Sequence, residues 1–359
     1  MSTFRQLNSV QYLRAIAAFG VLAYHASISL LDTVARIPLW IGLGGVDLFF
    51  VISGFIMAWT TYDEPLPPQE FFRRRLIRVV PLYFILTTVF FAMVRVFPSR
   101  STSASVVAYA QSILFIPFYN DKVHLVSPVL GQGWTLNFEM FFYVIFAVAL
   151  ALPRRVRLIA VVLCLGTCAL AGAVFHFTNA VAVTYTSPLL LEFCFGIGIA
   201  SVALRFRDGR LPHLPAMLVA AWVVVLSLAA SMYWFTGSMV DHRVIEIGLP
   251  SAMLLLTAVW AEMSGVQFKS PTILLLGAAS YSLYLMDGFT LAFMRRAWTH
   301  TFEIQSLLSH AGFICVSLAL GGIVGIAIHK GVERPITKLF SRKRHHSQPS
   351  NEVLNKLAL

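Results

Sequence analysis

The sequence predicts an all-α, polytopic membrane protein, a bundle of about ten spanning helices, on three observations. Of its 359 residues 58% are hydrophobic and 12% charged, with mean hydropathy +0.77, which is more apolar surface than a water-soluble core can bury. Apolar runs of about 17 to 25 residues, the length that crosses a hydrocarbon core, recur along nearly the whole chain. The ten-residue alternation of a membrane barrel does not occur, so backbone polar groups in lipid must be satisfied within helices.

The first run, 10–31, is too long for a signal-peptide core and carries charge, so it reads as a retained span. The second covers 41–60, and the connection 61–78 holds the basic run Phe71-Phe-Arg-Arg-Arg-Leu-Ile-Arg78 before the third span at 79–97. A long connection, 97–133, contains the short apolar stretch 106–118, which reads as either a span or an interfacial segment, and the connection suits a lid or substrate platform. Spans at 134–152 and 156–175 flank the Pro153-Arg-Arg-Val-Arg157 cluster, and further spans follow at 187–204, 215–235, 245–263, 272–293 and 309–329. With ten spans, 20 of the 27 basic residues fall on the side of the N-terminus, whereas an eleventh span would expel the cluster at 153–157. Both termini are therefore expected in the cytoplasm. Residues 1–340 read as one integral domain and 341–359 as a polar, basic, disordered cytoplasmic tail.

Several function classes recede on composition. The net charge of +11 lies in clusters between apolar runs, where topology accounts for it, so no nucleic-acid partner is expected. Cys164, Cys168, Cys194 and Cys315 sit inside apolar runs without C-x-x-C spacing, and no metal site is expected. No internal repeat is apparent, which weighs against a secondary transporter.

Ionisable groups inside spans cost about 2.5 to 3.5 kcal/mol at the helix centre and are read as functional. Arg14 and His25 are eleven residues apart, which returns to within about 20° of one helical face across a rise of about 16 Å. The bland alternative has Arg14 snorkelling to the interface and His25 bonding a neighbouring helix. Asp47, Glu139, Glu192 and Asp287 are also embedded in apolar or aromatic runs and together suit a polar cavity. Glu139 lies near the start of its span, at about the depth of His25, and is the expected carboxylate to orient that imidazole. A purely structural Glu139, bonded to tyrosine or backbone, is the alternative; Asp47 and Glu192 are expected near the outer interface with water close by. Arg74, Arg75 and Arg78 share much of one side if they begin a helix, suiting a phosphate clamp; a topogenic signal or lipid anchor explains the same charge.

With these residues in view, the sequence resembles the membrane-bound acyltransferase-3 family, in particular its exopolysaccharide-modifying members. The family's Arg, ten residues, His pattern matches Arg14 and His25, and Gly45-Val-Asp-Leu-Phe-Phe-Val-Ile-Ser-Gly-Phe55 is similar to its second-helix signature. Arg74, Arg75 and Arg78 with Pro81 and Tyr83 resemble its basic run, Trp134-Thr-Leu-Asn-Phe-Glu139 its Trp-x-Leu-x-x-Glu segment, Ser280–Leu285 a late-helix signature, and Glu333-Arg-Pro335 its closing motif. These matches span residues 9–336. Many members carry a histidine where this chain has Asp287, so a second titratable histidine is absent.

The resemblance implies transfer of an acyl group, usually acetyl, from cytoplasmic acyl-CoA to a hydroxyl of a cell-surface or exported polysaccharide or its lipid-linked precursor, in a bacterial inner membrane. On this reading Arg74, Arg75 and Arg78 hold the phosphates of the acetyl-CoA donor, Arg14 guides its pantetheine end, and His25 is the general base, aided by Glu139, with Asp287 as a hydrogen-bond acceptor. Expected partners are the carbohydrate acceptor, membrane lipids and separate polysaccharide-synthesis enzymes. Two other readings are a transporter or flippase for glycan precursors and a non-catalytic assembly or sensor protein.

Overall fold

The computed structural model describes residues 7–30, 40–62, 66–97, 105–122, 124–207, 222–223, 226, 242–302 and 306–342. These are helical apart from short turns and one isolated bridge, Tyr119 with Val126, as the apolar runs predict. The expected span 215–235 lies almost wholly outside the described residues, and so does the tail beyond Arg342.

The helices are α1 (Asn8–Ser29), α2 (Gly44–Thr60), α3 (Pro68–Val96), α4 (Val106–Ile113), α5 (Trp134–Ala149), α6 (Arg154–Val174), α7 (Ala180–Tyr185) and α8 (Leu190–Arg205). After the undescribed stretch come α9 (Leu249–Met263), α10 (Pro271–Ala278), α11 (Ser280–Thr301), α12 (Leu307–Ile328) and α13 (Arg334–Arg342). One π-helical segment, Val244–Gly248, leads into α9, and another, His329–Glu333, joins α12 to α13.

Three expectations are corrected. Proline is tolerated in a helix's first turn, and Pro68 starts α3 there, so the arginine run lies on a helix of 29 residues rather than in a connection. The expected span 187–204 falls within Ala180–Arg205, one of the helices long and apolar enough to cross, with a short turn between α7 and α8. The span 272–293 is broken, with α10 and α11 meeting at 71°. The last span runs on beyond 329 through a π turn into α13, carrying Lys330, Arg334 and Lys338 on helix. The stretch 106–118 supplies only the eight residues of α4, about 12 Å, too short to span.

Five described helices are long and apolar enough to cross a membrane, six when the bent pair is taken as one, so ten is not reached on that criterion. At 17 and 16 residues, α2 and α5 are short, and both line the polar interior. Lipid-facing apolar residues such as Leu163, Leu170 and Ile323 are exposed, as expected of a multi-pass membrane protein.

The helix α1 is central, packing against α2, α9, α10, α11 and α12. Its start is fixed from a distance. The Glu262 carboxylate of α9 accepts from the backbone N–H of Asn8 (3.0 Å) and Ser9 (2.7 Å), satisfying two amides that a helix leaves unpaired. Small residues bring α2 and α8 together: a Cβ at Gly54 would overlap the carbonyl of Phe193, and one at Gly196 that of Val51. Such backbone approach lets van der Waals packing hold helices where lipid offers no hydrophobic drive.

Candidate active site

The buried polar residues form two neighbouring chambers that share Val46 and Tyr284 as wall. In α11, Ser280, Tyr281 and Tyr284 line the first chamber and Tyr284 also the second, while Asp287, three residues on, bonds His25 from behind.

The first chamber, of about 110 Å³, is lined by Arg14, Arg75, Arg78, Ser53, Glu139 and Tyr143 among others. Arg14 is buried and makes one long hydrogen bond, to Gln11 Oε1 at 3.5 Å. The Arg75 guanidinium lies 5.4 Å from the centroid of Phe71, and its Nε is buried with no hydrogen-bond partner. Three guanidinium groups thus share a wall with one carboxylate. Glu139 accepts from Ser53 Oγ at 2.9 Å. Glu333, another charged neighbour of Arg14, is already held by Ser282 Oγ at 2.6 Å and by His329 at 3.0 Å. Arg74 is not in the chamber; it points outward and pairs with Glu70 at 2.9 Å. Of the three expected clamp residues the structure brings two, Arg75 and Arg78, together with Arg14, and leaves Arg74 on Glu70 one turn back along the helix.

The second chamber, of about 230 Å³, is lined by His25, Tyr24, Gln132, Trp134, Arg243 and Tyr284 among others. His25 Nδ1 lies 2.6 Å from Asp287 Oδ2. The other Asp287 oxygen accepts from the Gln132 side-chain amide. Gln132 is held in turn, its backbone carbonyl accepting from Tyr284 Oη at 3.0 Å and from Thr135 Oγ1 at 3.2 Å. The expected Glu139–His25 pairing is therefore corrected: Glu139 belongs to the arginine chamber, and Asp287 is the carboxylate on the histidine. Depth along a helix axis does not fix which way a side chain faces, and α5 turns Glu139 toward α2 and α3.

Asp47 and Glu192 are also relocated. Both are wholly buried rather than near water. Arg243 donates from Nε to Asp47 Oδ1 at 2.9 Å and from Nη2 to Asp47 Oδ2 at 2.8 Å, with Glu192 beside the pair. Sequence reasoning passed over Arg243 as a loop cation and Gln132 altogether. The available signal for Arg243 was Asp47 itself, since a carboxylate in an apolar run requires a cation.

Comparison with known proteins decides the family. The profile of the acyltransferase-3 family, described as an acyltransferase domain, matches residues 7–327. The chain belongs to the acyltransferase-3 family. It is thus a multi-pass membrane O-acyltransferase. The chain is similar to the exopolysaccharide production protein ExoZ of Rhizobium meliloti, with 33% identity over 85% of this chain and 92% of that one. The acyltransferase MdmB of Streptomyces mycarofaciens is 24% identical over 94% of both chains. The O-acetyltransferase OatA of Staphylococcus aureus is 22% identical over 93% of this chain and 58% of its own length. No solved structure matches significantly.

Proposed function

We propose that the protein transfers an acyl group, most simply acetyl, from acyl-CoA to a hydroxyl of an exported or surface polysaccharide, using His25 as general base. The observation that carries this reading is the His25–Asp287 pair at 2.6 Å, set in a chamber that shares a wall with a cluster of three arginines. Asp287 holds the Nδ1–H form of the imidazole, which leaves Nε2 bare to accept the proton of the attacking hydroxyl. As the hydroxyl oxygen bonds to the thioester carbonyl carbon, the C–S bond breaks. The imidazolium then returns the proton to the departing thiolate.

Arg14, Arg75 and Arg78 suit the donor. Their unmatched positive charge favours phosphate, and guanidinium recognises phosphate with paired hydrogen bonds. A chamber of about 110 Å³ takes one part of CoA rather than all of it. The arginine chamber faces the cytoplasm of a bacterial inner membrane on this reading, supported by the basic residues of α3 and α13, two helices that pack together. The acceptor class draws on the relatives: the name of one refers to exopolysaccharide production and that of another to O-acetyl transfer.

The test is acetyl transfer by the purified chain in nanodiscs from labelled acetyl-CoA to exported glycan, read by mass spectrometry. Consumption of acetyl-CoA with formation of a glycan ester is the expected result. An intact thioester beside translocated glycan would establish a flippase instead, and near-normal transfer by His25→Ala would remove the base from the mechanism.

A further inference from the structure

The histidine chamber holds a charge pair that the transfer chemistry does not use. Arg243 and Asp47 meet fork to fork, with Asp47 wholly buried while the Arg243 side chain keeps 20% of its surface and lines the chamber. That pairing occupies Nε and Nη2 and leaves Nη1 uncommitted to Asp47. Trp134 lines the same space, its indole set edge-on against Phe50 and Phe138, so an apolar ring stands ready beside the polar groups. The Gln132 amide completes the wall, itself fixed by Asp287.

The charge balance of this chamber differs from that of its neighbour. Among the described lining residues, the one permanent cation, Arg243, is matched by Asp47, and His25 is matched by Asp287. Glu192 adds another buried carboxyl behind the first pair. An anionic ligand entering here would meet two carboxylates and no unmatched cation, so its lost hydration would go uncompensated. An uncharged polyol would instead find N–H donors, an amide and an aromatic face. About 230 Å³ suits a single sugar ring, not a chain of them.

We infer that this chamber is a binding site for one uncharged sugar ring, that Arg243 held by Asp47 donates to the ring's hydroxyls, and that carboxylated rings are excluded. The identity of the ring as acyl acceptor rests on the reading of His25 given above; the preference for an uncharged ring does not.

The test uses the full chain in nanodiscs and two probes that differ only in charge, a methyl hexosiduronamide and the corresponding methyl hexosiduronate, observed by saturation-transfer NMR. The amide is expected to bind at least about tenfold more tightly than the carboxylate. Arg243→Lys, which keeps the charge and loses the fork, is expected to weaken amide binding about fivefold or more. Equal or tighter binding of the uronate overturns the inference, as does failure of both probes to bind. So does unchanged amide affinity in an Arg243→Lys protein that elutes and melts like its parent. Uronamide binding by a chain that leaves acetyl-CoA intact would sink the acyltransfer reading and keep this one.

Discussion

The two chambers solve opposite electrostatic problems within one wall's thickness of each other. Around the first, Arg14, Arg75 and Arg78 share the described lining with one carboxylate, Glu139, and Glu333 stands behind Arg14, so cations outnumber carboxylates. Around the second, the one permanent cation of the described lining, Arg243, has Asp47 as its partner, and the His25 imidazole is hydrogen-bonded to Asp287. Burying uncompensated charge costs several kcal/mol, so water or an anion in the first chamber would offset that cost. The second is complete before any ligand arrives, which fixes its geometry. On the proposed reading, the difference separates a site for a charged donor from one for a neutral acceptor and its base.

Breaking the second chamber should have the largest effect. His25→Ala removes the base, and a positioned base contributes about 10² to 10⁴ in rate, so turnover in the nanodisc assay is expected to fall about a thousandfold. Asp287→Asn keeps the shape and loses the charge that fixes the tautomer; a fall of about a hundredfold in kcat, with the donor KM little moved, is expected in the same assay. A near-normal rate would show that the Asp287 charge does not set the His25 tautomer.

Breaking the first chamber should act on binding instead. Arg75→Ala or Arg78→Ala is expected to raise the acetyl-CoA KM about tenfold or more, since a hydrogen bond to a charged group is worth about 1.5 to 3 kcal/mol. That KM should also lose part of its dependence on ionic strength, which a titration with salt would reveal. The smallest effect is reserved for Arg74→Ala. Its side chain is exposed and paired with Glu70, so a change under about twofold in donor KM is expected; an effect equal to that of Arg75→Ala would show the outer arginine joins the clamp.

Much of the site was legible one residue at a time. Arg14, His25, Glu139 and Asp287 announce themselves because each is a costly group in an apolar run. Pairing was not legible. Glu139 and His25 lie at similar depth by rise per residue, yet Ser53 of α2 takes Glu139 and α11 delivers Asp287 to His25 over 262 positions of sequence separation. The residue at which this chain departs from the histidine that the resemblance leads one to expect is thus the one bonded to the His25 imidazole. Arg243 escaped notice because a cation between spans looks topogenic until its carboxylate is found.

Composition and hydrophobic period by themselves determined the solvent, the helical class and the face shared by Arg14 and His25, because lipid admits few structures and an α-helix has one pitch. They also marked which groups are too polar for lipid to tolerate without a reason. Only the tertiary structure decided where α3 begins, where the spans break and which carboxylate meets which cation. Those outcomes depend on rotation of each helix about its axis, and that rotation is set by close packing such as Gly54 against α8, which no single segment encodes.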